Sequence, residues 1–67
     1  MAVIPTAPVD RLMRNAGAAR VSEAASKKMV DALEDYTTEI ARKAVDIARH
    51  SGRKTVKAED IKLALKQ

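Results

Sequence analysis

The stretch Glu23–His50, EAASKKMVDALEDYTTEIARKAVDIARH, decides the fold because about 28 residues pass without a glycine or a proline. Its apolar side chains recur at steps of three and four residues, which is the period of one helix face. The members of this stripe are Met29, Leu33, Tyr36, Ile40, Ala44 and Ile47. Ser22 is a favourable N-cap in front of it, and Gly52 behind it is a typical C-terminal stop. The pattern predicts one long helix over 23–50.

Shorter segments on either side of this stretch also carry helical patterns. Before it, we expect a helix over about residues 8–16, with Pro8 in the first helical position and Gly17 as the stop. The apolar stripe of that helix would contain Val9, Leu12, Met13 and Ala16. After it, we expect a helix over about 57–66, with two acidic residues in the first turn. The sequence therefore predicts an all-α, short–long–short chain forming a single domain over 1–67.

The length of the central helix predicts the oligomeric state. At 1.5 Å per residue the helix spans about 42 Å. A compact domain of 67 residues has a diameter of about 28 Å. Two short helices cannot cover the stripe on such a rod, so a second copy crossing it is expected to do so. We predict an obligate dimer whose core contains Met29, Leu33, Tyr36 and Ile40. A monomer with one frayed helix end is the alternative.

Composition excludes several classes of function. Cysteine is absent, which excludes disulfides and thiolate metal sites, and Tyr36 is the only aromatic residue, which argues against stacking platforms for exposed bases. Neither a run of about 20 apolar residues nor a signal-peptide pattern occurs, so we expect no membrane association. His50 alone cannot form a metal site, and no catalytic constellation is visible. We therefore expect a protein that is not an enzyme and that needs no metal and no cofactor.

Positive charge is concentrated towards the ends of the chain. The formal net charge is +4, and residues 22–46 carry four basic against six acidic residues, so the excess lies outside the central stretch. If two long helices cross antiparallel, Arg20 of one chain lies near Arg53, Lys54 and Thr55 of the other. Two such clusters could hold a phosphate backbone at separated points. An ordinary solvated surface that happens to be basic is the alternative.

Three segments carry a resemblance that covers nearly the whole chain: Ile4–Arg11 (IPTAPVDR), Ala16–Ser22 (AGAARVS) and Ala48–Ile61 (ARHSGRKTVKAEDI). With these segments the chain resembles the archaeal histones, which are small tail-less histone-fold proteins. The resemblance implies a head-to-tail handshake dimer with double-stranded DNA wrapped over its convex face. It agrees with the architecture that the helix pattern predicts.

The resemblance also implies roles for individual residues. Arg20 resembles the arginine that enters the minor groove, and Thr55 resembles its hydrogen-bonding partner from the other chain. The complete set of residues expected to contact DNA is Arg11, Arg14, Arg20, Lys54, Thr55 and Lys57. Arg53 and Asp60 resemble an internal salt bridge that fastens the second loop. Ile47, His50 and Asp60 resemble the positions where two dimers meet.

The expected function is therefore architectural: largely sequence-independent binding and wrapping of double-stranded DNA by dimers that stack into nucleosome-like assemblies. The dimer would be a homodimer or a heterodimer with a paralogue, and the location would be the chromosome in the cytoplasm. One alternative is a histone-fold subunit of a transcription-regulator complex that acts mainly through heterodimerisation. Another is a four-helix-bundle dimer that binds RNA or protein. The sequence leaves open whether Lys27 and Lys28 face DNA, and whether Ala19 weakens the support of Arg20.

Overall fold

The computed structural model describes residues 3–67, and within that range the chain forms three helices and no strand. These are α1 (Thr6–Asn15), α2 (Glu23–His50) and α3 (Ala58–Lys66). The all-α, short–long–short order is confirmed, and α2 has the bounds that its sequence pattern predicts. Ser22 caps α2 as expected, because its Oγ accepts a hydrogen bond from the Ala25 backbone N–H at 3.0 Å.

The predicted limits of the two short helices are wrong by one or two residues. α1 begins at Thr6 after an extended Pro5, so Pro8 occupies the third helical position instead of the first. This position tolerates proline because the N–H groups of the first turn have no acceptor within the helix. At its other end α1 stops at Asn15, with Ala16 as the C-cap. α3 begins at Ala58, since Lys57 is the extended residue in front of it.

The first loop, between α1 and α2, and the second loop, between α2 and α3, begin with the same hydrogen-bonded helix ending. This ending is the Schellman motif. After α1, Gly17 has φ +116° and donates to the Arg14 carbonyl at 3.0 Å, while Ala18 donates to Met13 at 3.2 Å. The same pattern recurs after α2, where the glycine has φ +73°. There the Gly52 N–H donates to the Arg49 carbonyl and the Arg53 N–H donates to the Ala48 carbonyl, both at 2.9 Å. Positive φ strains any residue with a Cβ, so glycine sets where each loop leaves its helix.

The chain divides into two compact units, Met1–Asp35 and Tyr36–Gln67, and α2 runs through both. In the described part of the first unit, the buried side chains are Val9, Ser26 and Val30. Of the stripe predicted on α1, only Val9 is buried, whereas Leu12 is 62% exposed. The first unit therefore leaves a large apolar side chain of α1 in solvent.

The second unit buries small residues. Ala44 and Ala48 of α2 and Ala64 of α3 are each at most 2% exposed, together with the carboxylate residue Asp60. Alanine at such positions lets the backbones of two packed helices approach closely. The larger apolar side chains of α3 remain outside: Ile61, Leu63 and Leu65 are between 37% and 52% exposed.

Candidate nucleic-acid interface

The first loop presents Arg20 to solvent. Its course is set by the glycine ending of α1 on one side and by the Ser22 cap of α2 on the other. Within residues 3–67, the Arg20 side chain is exposed and makes no ion pair. A guanidinium in this state has its donors available for an outside acceptor such as phosphate.

The second loop is fastened by an ion pair between Arg53 and Asp60. Arg53 Nη2 donates to Asp60 Oδ1 at 2.7 Å, and Nη1 donates to Oδ2 at 2.9 Å, so the two side chains meet in the bidentate geometry. The same Nη1 also donates to the Thr55 carbonyl at 3.1 Å. Arg53 thereby joins the middle of the loop to the first turn of α3.

Asp60 is the buried anchor of this arrangement. It is 1% exposed, and its Oδ2 also accepts the Lys57 backbone N–H at 2.8 Å, which satisfies a donor at the start of α3. The hydrogen bonds from Arg53 and then from the Lys57 backbone lower the pKa of Asp60 from 3.8 to about 2. The carboxylate is therefore charged, and the loop is held, at every pH above mild acidity.

Three polar side chains of the second loop take no part in this anchor. Lys54, Thr55 and Lys57 are exposed, and none of their side chains has an intramolecular partner among the described residues. Because the ion pair uses Arg53, the charges left for an external anion are those of Lys54 and Lys57. The loop combines a fixed backbone with free cationic side chains.

The two arginines expected to contact DNA from α1 differ from each other. Arg14 pairs with Asp10 one turn earlier, with Nε–Oδ2 at 3.1 Å, so part of its charge is already compensated. Arg11 is exposed and makes no ion pair in the described part of the chain. On this helix Arg11 is the stronger candidate for a phosphate contact.

Lys27 and Lys28, two neighbouring lysines of α2, also differ in their contacts. Lys27 pairs with Glu23 at 3.4 Å, and both side chains are more than two-thirds exposed. Exposed pairs of this kind contribute little to stability and exchange readily with solvent ions. Lys28 has no ion pair among the described residues.

The three positions expected to join dimers are not equally accessible in one chain. His50 is exposed, and its Nδ1 donates to the Asp46 carbonyl at 2.8 Å, which leaves Nε2 free. Ile47 is half-buried. Asp60 is buried and already accepts three hydrogen bonds, which favours its structural role. Leu63, three residues after Asp60 on α3, is 52% exposed, as is Leu65.

Glu34 makes a contact that the sequence pattern does not predict. Its Oε2 accepts the backbone N–H groups of Val3 and Ile4, the latter at 2.9 Å. The hydrogen bonds from Ile4 and Val3 lower the pKa of Glu34 below its usual value. No local pattern could have indicated this contact, because its partners are about 30 residues apart and the donors are main-chain groups.

In residues 3–67, no three His, Cys, Asp or Glu side chains lie close enough together to hold a metal ion. None of the helices described is both long and apolar enough to cross a membrane.

Sequence comparison with known proteins points to one family. The sequence profile of the family described as "Histone-like transcription factor (CBF/NF-Y) and archaeal histone" matches residues 2–65. The chain belongs to this family of histone-fold proteins. It is 59% identical over 66 residues to one component of the archaeal histone HAN1 of Thermococcus zilligii, with 98% of each chain covered. It is 58% identical, with the same coverage, to "Probable archaeal histone 3" of Methanocaldococcus jannaschii. The resemblance to archaeal histones is confirmed.

Proposed function

We propose that this chain is an architectural protein of chromatin that binds and wraps double-stranded DNA as a dimer, with little sequence preference. The observation that carries the proposal is the second loop, where Arg53 and Asp60 fix the backbone and leave Lys54 and Thr55 free. Membership of the archaeal histone family supports the same function. The protein acts by binding, on the chromosome in the cytoplasm, and catalyses no reaction.

The composition of the buried core supports the dimer. In residues 3–67, no buried apolar side chain is larger than valine, while Met29 and Tyr36 are 41% and 56% exposed. Leu33 and Ile40, which complete the proposed dimer core, are half-buried. Burying such side chains is the main favourable term in folding, so a chain that leaves them exposed lacks most of its stabilisation.

For the DNA contacts, we propose that Arg20 enters the minor groove and that Thr55 of the second chain holds its guanidinium. The free side chains of both residues support this pairing. Lys54, Lys57 and Arg11 contact phosphates, and Arg14 does so by exchanging its Asp10 partner for phosphate. Each chain supplies one such set, so a dimer holds the duplex at several separated points.

For assembly along DNA, we propose that dimers join through Ile47, His50 and Leu63, with Asp60 as the buried support of that surface. Contacts of this size are weak without a third component, so assembly occurs on DNA, where neighbouring dimers are held close together. The Thermococcus zilligii relative is named as one component of HAN1. Pairing of this chain with a paralogue is therefore the alternative to a homodimer.

The rival function, membership of a transcription-regulator complex, is named in the family description but by neither relative. Nuclease digestion of the protein reconstituted on long linear DNA distinguishes the two. An architectural protein protects DNA of unrelated sequences, and stacking dimers produce a ladder of regularly increasing protected lengths. Protection confined to one sequence, or no protection, contradicts the proposal.

A further inference from the structure

The carboxylate of Glu34 holds the segment that leads into α1. Its Oε2 accepts two consecutive backbone N–H groups, from Val3 and from Ile4, and the next residue is the extended Pro5 that precedes the helix. An ionised acceptor makes these bonds stronger than bonds between neutral groups. The start of α1 is thereby tied to α2 within the first unit.

This attachment matters because α1 has few others. Val9 is its only buried residue, and its N-terminus has neither a side-chain cap nor an acidic residue in the first turn. Met13 is half-buried, so the packing of the helix itself involves few side chains. A second attachment, at the residues just before the helix, restricts its direction further. Glu34 supplies the second point.

We propose that Glu34 is a positioning residue for DNA binding, because it fixes the first turn of α1 and the unpaired Arg11 where they meet a phosphate. The inference rests on the proposed function and names a residue that the DNA itself never touches. Two attached points determine the direction of α1, and Arg11 lies one and a half turns from the attached end. The lowered pKa of Glu34 agrees with an ionised, hydrogen-bonded acceptor.

The proposal predicts the opposite change in DNA affinity from the one that charge alone predicts. A carboxylate on a DNA-binding protein repels phosphate, so charge alone predicts that removing Glu34 tightens binding. The positioning role predicts that removing it weakens binding. Glu39 provides the matched control, because it is an acidic residue of the same helix with no hydrogen bond or ion pair among the described residues.

The test measures duplex affinity over a series of salt concentrations by fluorescence anisotropy, using labelled DNA and the full chain. Glu34→Ala should weaken binding, because Arg11 is then no longer held where it meets a phosphate. Its log–log salt slope should fall in magnitude by about 0.9 for each phosphate that the variant no longer binds. Glu34→Asp should act similarly, although the charge is kept, because its side chain is shorter. Glu39→Gln should bind equally or more tightly, with the slope of the unmodified protein.

A second pair of variants removes the donor instead of the acceptor. Ile4→Pro deletes the N–H that Glu34 accepts, whereas Ile4→Ala keeps it. Ile4→Pro should reproduce the reduced salt slope of Glu34→Ala, and combining the two changes should add little. Ile4→Ala should keep the original slope. Amide exchange at Val3 should accelerate in Glu34→Ala and in Glu34→Asp.

The outcomes separate this inference from the proposed function. If the unmodified protein fails to bind duplex DNA, the proposed function is wrong. If it binds, and Glu34→Ala binds as tightly with the same salt slope, Glu34 has no positioning role. A loss of thermal stability with an unchanged slope in Glu34→Ala and Ile4→Pro would also overturn the inference, because it would show a merely structural role.

Discussion

Arg53 and Asp60, seven residues apart, meet through two parallel hydrogen bonds of 2.9 and 2.7 Å, with Asp60 almost completely buried. The pair bridges the second loop and α3, and through the Thr55 carbonyl it also restrains the residue proposed to hold Arg20. The attachment of α3 and the proposed DNA contact therefore share one ion pair.

Asp60 should make stability sensitive to acid. Its pKa in the folded chain is about 2, below its ordinary value of 3.8, so its contribution is complete above that ordinary value. The contribution is lost as the pH falls from near 4 towards 2. Asp60→Asn should melt lower at neutral pH, by on the order of 5 °C, and should change less between pH 4 and 2. Thermal melts followed by circular dichroism across this range measure both effects.

Asp31→Asn is the control for that experiment, because Asp31 is exposed and without a hydrogen bond or ion pair among residues 3–67. It should melt like the unmodified protein at neutral pH. Equal acid sensitivity of Asp60→Asn and the unmodified protein between pH 4 and 2 would show that the ion pair contributes nothing to folding.

Leu33→Glu should abolish folding at ordinary concentrations, because it places a charge without a partner in the proposed dimer core. Ala24→Glu, at an exposed position in the first turn of the same helix, should remain folded. Circular dichroism measures helicity, and analytical ultracentrifugation measures mass. A helical, monomeric Leu33→Glu protein would show that one chain folds without a partner.

The melting temperature of the unmodified protein should rise with protein concentration, since unfolding of an obligate dimer releases two chains. Tyr36 reports the same event, because it is the only aromatic residue and is 56% exposed in one chain. Its fluorescence and near-ultraviolet circular dichroism should change together with helicity. Separate transitions, or a melting temperature independent of concentration, would contradict the dimer.

Arg20→Ala and Lys54→Ala should weaken DNA binding in different ways. Lys54→Ala removes a phosphate contact, so affinity should fall uniformly across sequences and the salt slope should fall by about 0.9 per chain. Arg20→Ala should also lessen any preference for narrow-groove DNA. Thr55→Ala should partly reproduce Arg20→Ala. Affinity measurements on A-tract and mixed-sequence duplexes compare them, and identical behaviour of all three would exclude groove insertion.

Ile47→Lys and Leu63→Lys should leave dimers folded and able to bind short DNA, because both side chains are at least partly exposed in one chain. The long fragments protected in nuclease digestion should disappear, leaving the shortest. His50→Ala should have a weaker effect of the same kind. Asp60 is unsuitable here, since changing it also releases Arg53. A full ladder from Ile47→Lys would place the stacking surface elsewhere.

Sequence by itself determined the helices and the ends of α2. Helical period, a serine cap and the glycine after a helix are local features, because they act through hydrogen bonds within one or two turns. The predicted bounds of α2 are therefore correct, whereas the predicted start of α1 is two residues too late. Proline is tolerated at several positions of the first turn, so Pro8 indicates the beginning of the helix only approximately.

The tertiary structure alone decided which polar side chains meet main-chain groups far away in the sequence. The Arg14–Asp10 pair is local, because its members are four residues apart on one helix. Glu34 looks like any exposed acid, yet it holds main-chain donors about 30 residues away. Hydrogen-bond partners distant in the chain depend on how helices pack, and main-chain donors are the same at every residue except proline. No pattern of side chains along the sequence can therefore identify them.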